Sequence, residues 1–214
     1  MSGCCGDEVE LTFTGESAAY KRVIWLVIAI NAGMFAVEAT AGAMAQSQAL
    51  QADALDFFAD AVTYGISLAV IGRDLRLRAS AALFKGLLLA LMGTFVLAST
   101  IYRTLVLPMP DEVVMGAVGM MALVANVSAA LLLMRWRNGD ANVRSVWLCS
   151  RNDAIGNLAV VVAAALVAWT ASAWPDLLVA AGMALLFLQS AAKVIRQALE
   201  ELRQNHNLDS RSLP

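Results

Sequence analysis

Histidine is nearly missing from this chain: among 214 residues there is one, His206, close to the C-terminus. Charge is scarce too. Charged residues make up 15% and apolar residues 60%, where a soluble domain has about 25% and about 45–50%. That balance excludes a soluble globular fold. Three cysteines are too few for a disulfide framework. Cys4 and Cys5 are neighbours in a polar N-terminal stretch and Cys149 lies within an apolar run, so all three are expected to be reduced. Net charge is −2, and no basic patch with interleaved aromatics is present, which argues against nucleic acid as a partner. The opening residues, MSGCCGDEVELTFTGE, lack the basic start and apolar run of a signal peptide. They read as a flexible cytoplasmic tail over residues 1–20.

What the chain does have is long apolar runs. A helix needs about 20 such residues to cross the hydrocarbon core. Six segments of that order can be drawn: Lys21–Gly42, Ser47–Gly72, Ala79–Val106, Asp111–Trp136, Ser145–Thr170 and Pro175–Arg196. Basic residues crowd alternate ends of these segments. Lys21 and Arg22 precede the first, Arg73, Arg76 and Arg78 follow the second, Arg135, Arg137 and Arg144 follow the fourth, and Lys193, Arg196 and Arg203 close the sixth. The opposite loops hold few cations, with Arg103 the exception. The bias of lysine and arginine toward the cytoplasm then puts both termini inside. The expected fold is an all-α membrane protein with six transmembrane helices, multi-pass in the cell inner (plasma) membrane. Residues 21–197 form its transmembrane domain and residues 198–214 a short cytoplasmic tail. Lys85, a little inside the third helix, is expected to snorkel to the headgroups. The five tryptophans fall near helix ends, as an interfacial belt requires.

Against this background the stretch QADALDFFADAVTY, Gln51–Tyr64, stands out for Asp53, Asp56 and Asp60. A carboxylate near the bilayer centre costs on the order of 3 kcal/mol, by scales that disagree, unless it faces protein, water or a cation. Asp56 and Asp60 are four residues apart and so share a helix face. In CSRNDAIGN on the fifth segment, Cys149 and Asp153 have the same spacing. If the second and fifth helices are antiparallel neighbours, Asp56, Asp60, Cys149 and Asp153 converge near mid-membrane as four oxygen and sulfur donors. A tetrahedral dication takes such a set. Asn157, a turn beyond Asp153, is placed to support a ligand or to donate its carbonyl oxygen. Asp53 either touches the ion or faces a polar crevice. Glu38 and Asn31, seven residues apart on the first helix, share a face. They either line the ion's way in and position water, or hydrogen-bond to a neighbouring helix.

With these residues in view, the sequence resembles the cation diffusion facilitator (cation efflux) family over about Lys21–Glu201. DFFAD, Asp56 to Asp60, matches the family's paired motif on its second helix. CSRND, Cys149 to Asp153, matches the pair on the fifth, with cysteine where histidine or aspartate is usual. AQSQALQADAL before the first pair, NVRSVWL (Asn142–Leu148) before the second, and Asn126 in LVANVSAALL are similar as well. The resemblance implies six helices, cytoplasmic ends, a homodimer, and export of a divalent metal in exchange for protons. Two departures are expected. The chain ends before the family's cytoplasmic ferredoxin-like domain, and it lacks the histidine-rich loop between the fourth and fifth helices.

The mechanism so implied needs no cofactor and is not enzymatic. Metal and protons compete for the same oxygens and sulfur, and the site opens to one side of the membrane at a time. Without histidine, Asp56, Asp60, Asp153 and Cys149 carry the protons. One thiolate among three carboxylates tilts selection to Zn²⁺ and also Cd²⁺, while carboxylates alone accept Mn²⁺; Co²⁺ or Fe²⁺ is an alternative cargo. The rival class is an intramembrane aspartate-dependent phosphotransferase acting on lipid headgroups. Asp53, Asp56 and Asp60 have the i, i+3, i+7 spacing for it, but DALDFFAD carries no neighbouring glycine or arginine to hold a phosphate. A membrane scaffold without transport would leave the buried acids unexplained.

Overall fold

The computed structural model describes residues 17–70, 75–106, 109–138 and 141–211. Cys4, Cys5, Arg73 and Pro108, and the side chains of Asn142, Arg144 and His206, lie outside the described residues. The fold is helical throughout them: α1 Ala18–Met44, α2 Gln48–Ala69, α3 Leu75–Val106, α4 Glu112–Leu133 with a 3-10 turn at Met134–Trp136, α5 Ala141–Thr170 and α6 Trp174–Arg211. Each segment drawn from the sequence corresponds to one helix. α6 outlasts the apolar run that signals it, because ALEELRQ continues in strong helix formers with no glycine or proline to stop it.

The helix starts are set by local chemistry. The Ser17 side chain accepts from the Tyr20 amide, Ser47 from the Leu50 amide, and Asp111 from the Val113 and Val114 amides, each relieving one or more unpaired first-turn N–H groups. The turns α1–α2, α3–α4 and α5–α6 are tied together at one end of the bundle. The Asp111 amide donates to the Ala45 carbonyl at 2.9 Å. Arg103 donates to the Gln46 carbonyl at 2.5 Å, which gives the one cation on the acid-rich side a structural partner. Gln46 and Ala171 both sit at positive φ, 55° and 49°, an uncommon conformation for residues with a Cβ. Each makes a tight reversal between consecutive helices.

Five helices, α1, α3, α4, α5 and α6, contain stretches long and apolar enough to cross a membrane. α2 does not meet that composition for one reason: Asp53, Asp56 and Asp60 fall so close to its middle that any 18-residue stretch of its 22 includes all three. Packing compensates. α2 contacts every other helix, and eleven of its residues, Asp53 and Asp60 among them, are buried. The tightest pairings are α3 with α6, α4 with α5 and α1 with α2. One apolar cluster joins Leu50, Val96, Met115, Val160, Met183 and Phe187 from α2 through α6. A second, toward the other end, joins Tyr20, Ile24, Tyr64, Leu133 and Val146, with Met34, Phe57 and Ala122 between the two levels.

The outward surface is apolar. Phe84, Leu87, Leu91 and Phe95 form an exposed stripe along α3, tolerable only against lipid or another protein. Trp25, Trp169 and Trp174 are exposed, as a belt residue would be. Trp136 and Trp147 instead pack on the second cluster, Trp136 edge-on to Tyr20 with ring centres 5.6 Å apart. The chain is a multi-pass membrane protein.

Candidate metal centre

Two helices bring the acidic motifs together. A cavity of about 230 Å³ is lined by Asp56 and Asp60 from α2 and by Cys149, Asn152, Asp153 and Gly156 from α5. Met183, Leu186, Phe187 and Ser190 of α6 close it. A water in the liquid takes up ~30 Å³, so this space accepts an ion with part of its hydration shell. The four-residue spacing explains the arrangement: each pair lies one turn apart on a single face, and the two faces oppose across the cavity. Gly156 puts no side chain on the cavity wall at its own position, and a Cβ there would meet nothing within 4 Å.

The polar contacts organise the acids further. Asp153 lies within hydrogen-bonding reach of both Asp56 and Asp60. Asp153 Oδ2 is buried with no hydrogen-bond partner among the described residues. Asp60 Oδ2 also accepts from the Tyr64 hydroxyl, and that hydroxyl is 3.4 Å from Ser150 Oγ. Cys149 is exposed on the cavity wall as a free thiol. As the side chains stand, no three carboxylate, thiol or imidazole groups among the described residues are drawn in around one point as a finished ligand set.

The remaining candidates divide. Asp53 does not line the cavity; it faces Glu38 of α1 within hydrogen-bonding reach. Glu38 is 0% and Asp53 1% exposed. Among the described residues no donor group reaches either Glu38 oxygen or Asp53 Oδ2. Asn31 donates to the Val27 carbonyl at 2.9 Å, within its own helix, and its Oδ1 is unpartnered. Asn157 is fully buried with both side-chain polar atoms unpartnered, and it does not line the cavity. Asn126 of α4 is likewise buried with a bare Oδ1. Orphaned buried polar atoms are costly, and α1, α2, α4 and α5 each carry at least one.

Two neighbours of the site, Tyr64 and Asn152, gave no separate signal in the sequence, and a third, Lys85, was legible as an intramembrane lysine but not as a neighbour of the site. Tyr64 lies four residues after Asp60 and so on the same face, which is the clue that could have found it. Lys85 reaches across from α3 to α2: its ammonium donates to Ser67 Oγ at 2.6 Å, two residues before the end of α2, and its charge acts on Asp60 and Cys149.

The model of the cation efflux transmembrane domain matches residues 24–203. The chain belongs to the cation efflux family. Similar curated relatives include the metal cation efflux system protein CzcD of Cupriavidus metallidurans, 24% identical over 194 residues, covering 85% of this chain and 61% of that protein. The cadmium, cobalt and zinc/H(+)-K(+) antiporter of Bacillus subtilis is 25% identical over 211 residues, with 89% of this chain and 67% of that protein covered. The chain thus spans about 61% of the length of the first of these relatives.

Proposed function

We propose that this member of the cation efflux family exports a divalent transition metal, Zn²⁺ foremost and Cd²⁺ also, from the cytoplasm in exchange for protons. The supporting observation is the cavity itself, which draws Asp56, Asp60, Cys149 and Asp153 from two helices onto one space. In this reading α2 is the sixth membrane span. Its acids are tolerable in the membrane because they face the cavity and α1 while its flanks are covered by other helices. Both termini are cytoplasmic. Residues 21–197 make up the transport domain and 198–214 a tail, and two copies associate in the inner membrane through transmembrane helices.

The ion loses part of its water on entering and gains up to three carboxylate oxygens and one thiolate sulfur. At neutral pH on the cytoplasmic side the metal displaces the protons shared among Asp56, Asp60 and Asp153. Once the cavity faces the other side, protons return and the ion leaves. Tyr64 holds one oxygen of Asp60, which steers the other toward the cavity. The names of the relatives, one a cadmium, cobalt and zinc antiporter using protons, agree with this cargo and this coupling. A phosphotransferase would need Asp53, Asp56 and Asp60 on one site. Asp53 turns instead to Glu38, which weighs against that class.

The test is uptake by proteoliposomes carrying the purified chain across a panel of Zn²⁺, Cd²⁺, Co²⁺ and Mn²⁺ with an imposed pH gradient. Metal flux that collapses with the gradient, and that is abolished by Asp60→Ala or Asp153→Ala, is expected. Wild-type flux from either variant would remove the assignment.

A further inference from the structure

Lys85 is ten residues into α3, in a stretch otherwise built of leucine, alanine, phenylalanine and one glycine. A lysine so placed ordinarily extends its stem to the headgroup level. Here the ammonium bridges α3 and α2, 2.6 Å from Ser67 Oγ. Ser67 is 5% exposed and lies seven residues past Asp60. That is two turns along the same face of α2, or roughly 10 Å at 1.5 Å per residue. Among the described residues, the charged and titratable groups whose fields meet at this ammonium are Asp60 from α2 and Cys149 from α5. Both belong to the cavity wall.

We propose that Lys85 is a built-in counter-cation of the metal site, parked on Ser67, which balances the carboxylates when the ion is away and weakens the ion's hold when it is bound. The proposal rests on the metal-site reading above and extends it. Three carboxylates and one thiolate carry four negative charges, and the ammonium brings the sum to three, nearer the two that a single dication cancels. The ammonium has a further consequence. A positive charge held some two helical turns from a dication repels it in a medium of effective dielectric near 20. The bound state is raised, and release to the far side is eased. An exporter gains by this, since an ion held too tightly is not delivered. Ser67 keeps the ammonium from collapsing onto Asp60 and plugging the cavity.

The experiment is Cd²⁺ titration of the purified full chain in detergent by calorimetry, together with Cd²⁺ turnover in proteoliposomes at saturating metal. Lys85→Gln and Lys85→Met, the second keeping the bulk of the stem, are expected to bind Cd²⁺ at least about tenfold more tightly than wild type. Their turnover should fall. Lys85→Arg, which keeps the charge, should restore both values. Tighter binding is not something a damaged fold produces, so the sign of the change separates this role from a structural one. Unchanged or weaker Cd²⁺ binding by both neutral variants overturns the counter-cation role. Asp60→Asn, titrated alongside, separates the two readings. If it loses Cd²⁺ while the lysine variants do not tighten, the inference alone falls; if it binds like wild type, the metal site falls with it.

Discussion

Ser47 and Asp176, 129 residues apart, are joined by a 2.6 Å hydrogen bond from the serine hydroxyl to Oδ1 of the aspartate. The same carboxylate accepts from the Gln48 amide at 2.7 Å and the Ala49 amide at 3.0 Å. Ser47 in turn accepts from the Leu50 amide at 3.1 Å. The first turn of α6 therefore caps α2, the helix that carries Asp56 and Asp60. A negative charge at a helix N-terminus also meets the positive end of the helix dipole. Gln48 adds a bond to Ser99 of α3 at 2.6 Å, so this end of α2 is fixed to two neighbours.

Asp176→Ala leaves the two amides and the Ser47 hydroxyl buried and without this acceptor. Losing a cap and stranding buried donors costs roughly 2–3 kcal/mol. The thermal midpoint of the detergent-purified protein should drop clearly, while Asp176→Asn, which keeps one acceptor oxygen, drops it less. Equal midpoints for wild type and Asp176→Ala would show that the cap carries no stability.

The α3–α6 seam depends on an absent side chain. A Cβ on Gly93 would stand 2.9 Å from Leu188 Cγ, 3.0 Å from Phe187 Cβ and 3.1 Å from the Ala184 carbonyl oxygen. Backbone cannot move aside as a flexible side-chain tip can. Gly93→Leu should force the helices apart at a cost of about 1–3 kcal/mol. Phe187, which closes the cavity, moves with the seam. The expected result is a lower thermal midpoint together with weakened metal binding, read by melting and by titration of the same sample. A variant as stable as wild type would mean that α6 shifts freely along α3.

These two relationships mark where the sequence stops being informative. The six helices are legible because lipid demands uninterrupted apolar length, and only α2 needs its buried face to explain it. The paired donors are legible as well, since four-residue spacing alone places Asp56 with Asp60 and Cys149 with Asp153. The rotation of each helix about its axis is not, and that rotation parts Asp53 from Asp56, turning it to Glu38. Nor can spacing show that Asp176 reaches α2 or that Lys85 reaches across to Ser67. Both are pairings between helices distant in the chain, set by packing.

Tyr64 tests how far the cavity depends on a positioned carboxylate. Its hydroxyl holds Asp60 and is itself 2% exposed, so Tyr64→Phe keeps the packing and removes one donor. Asp60 is then free to rotate, and a misplaced catalytic or binding group commonly costs several-fold or more. Metal flux in proteoliposomes should fall about three- to tenfold with little change in melting. Unaltered flux would show that the bond to Asp60 does not orient it for the ion.

In the proposed reading, Cys149 sets the selectivity. Sulfur is the soft donor in an otherwise hard oxygen set, and soft donors favour Cd²⁺ and Zn²⁺ over Mn²⁺. Cys149→Asp converts DFFAD and CSRND into two equivalent carboxylate pairs at the same spacing, so size and reach change little while softness is lost. Cd²⁺ flux should fall relative to Mn²⁺ flux in the same vesicles, by about an order of magnitude in the ratio. Cys149→Ser should depress both metals, because an alcohol is a weaker ligand for either. The two outcomes differ in kind: aspartate redirects the site and serine weakens it. If aspartate leaves the Cd²⁺ to Mn²⁺ ratio where it was, the thiol stands outside the coordination shell and selection rests with Asp56, Asp60 and Asp153.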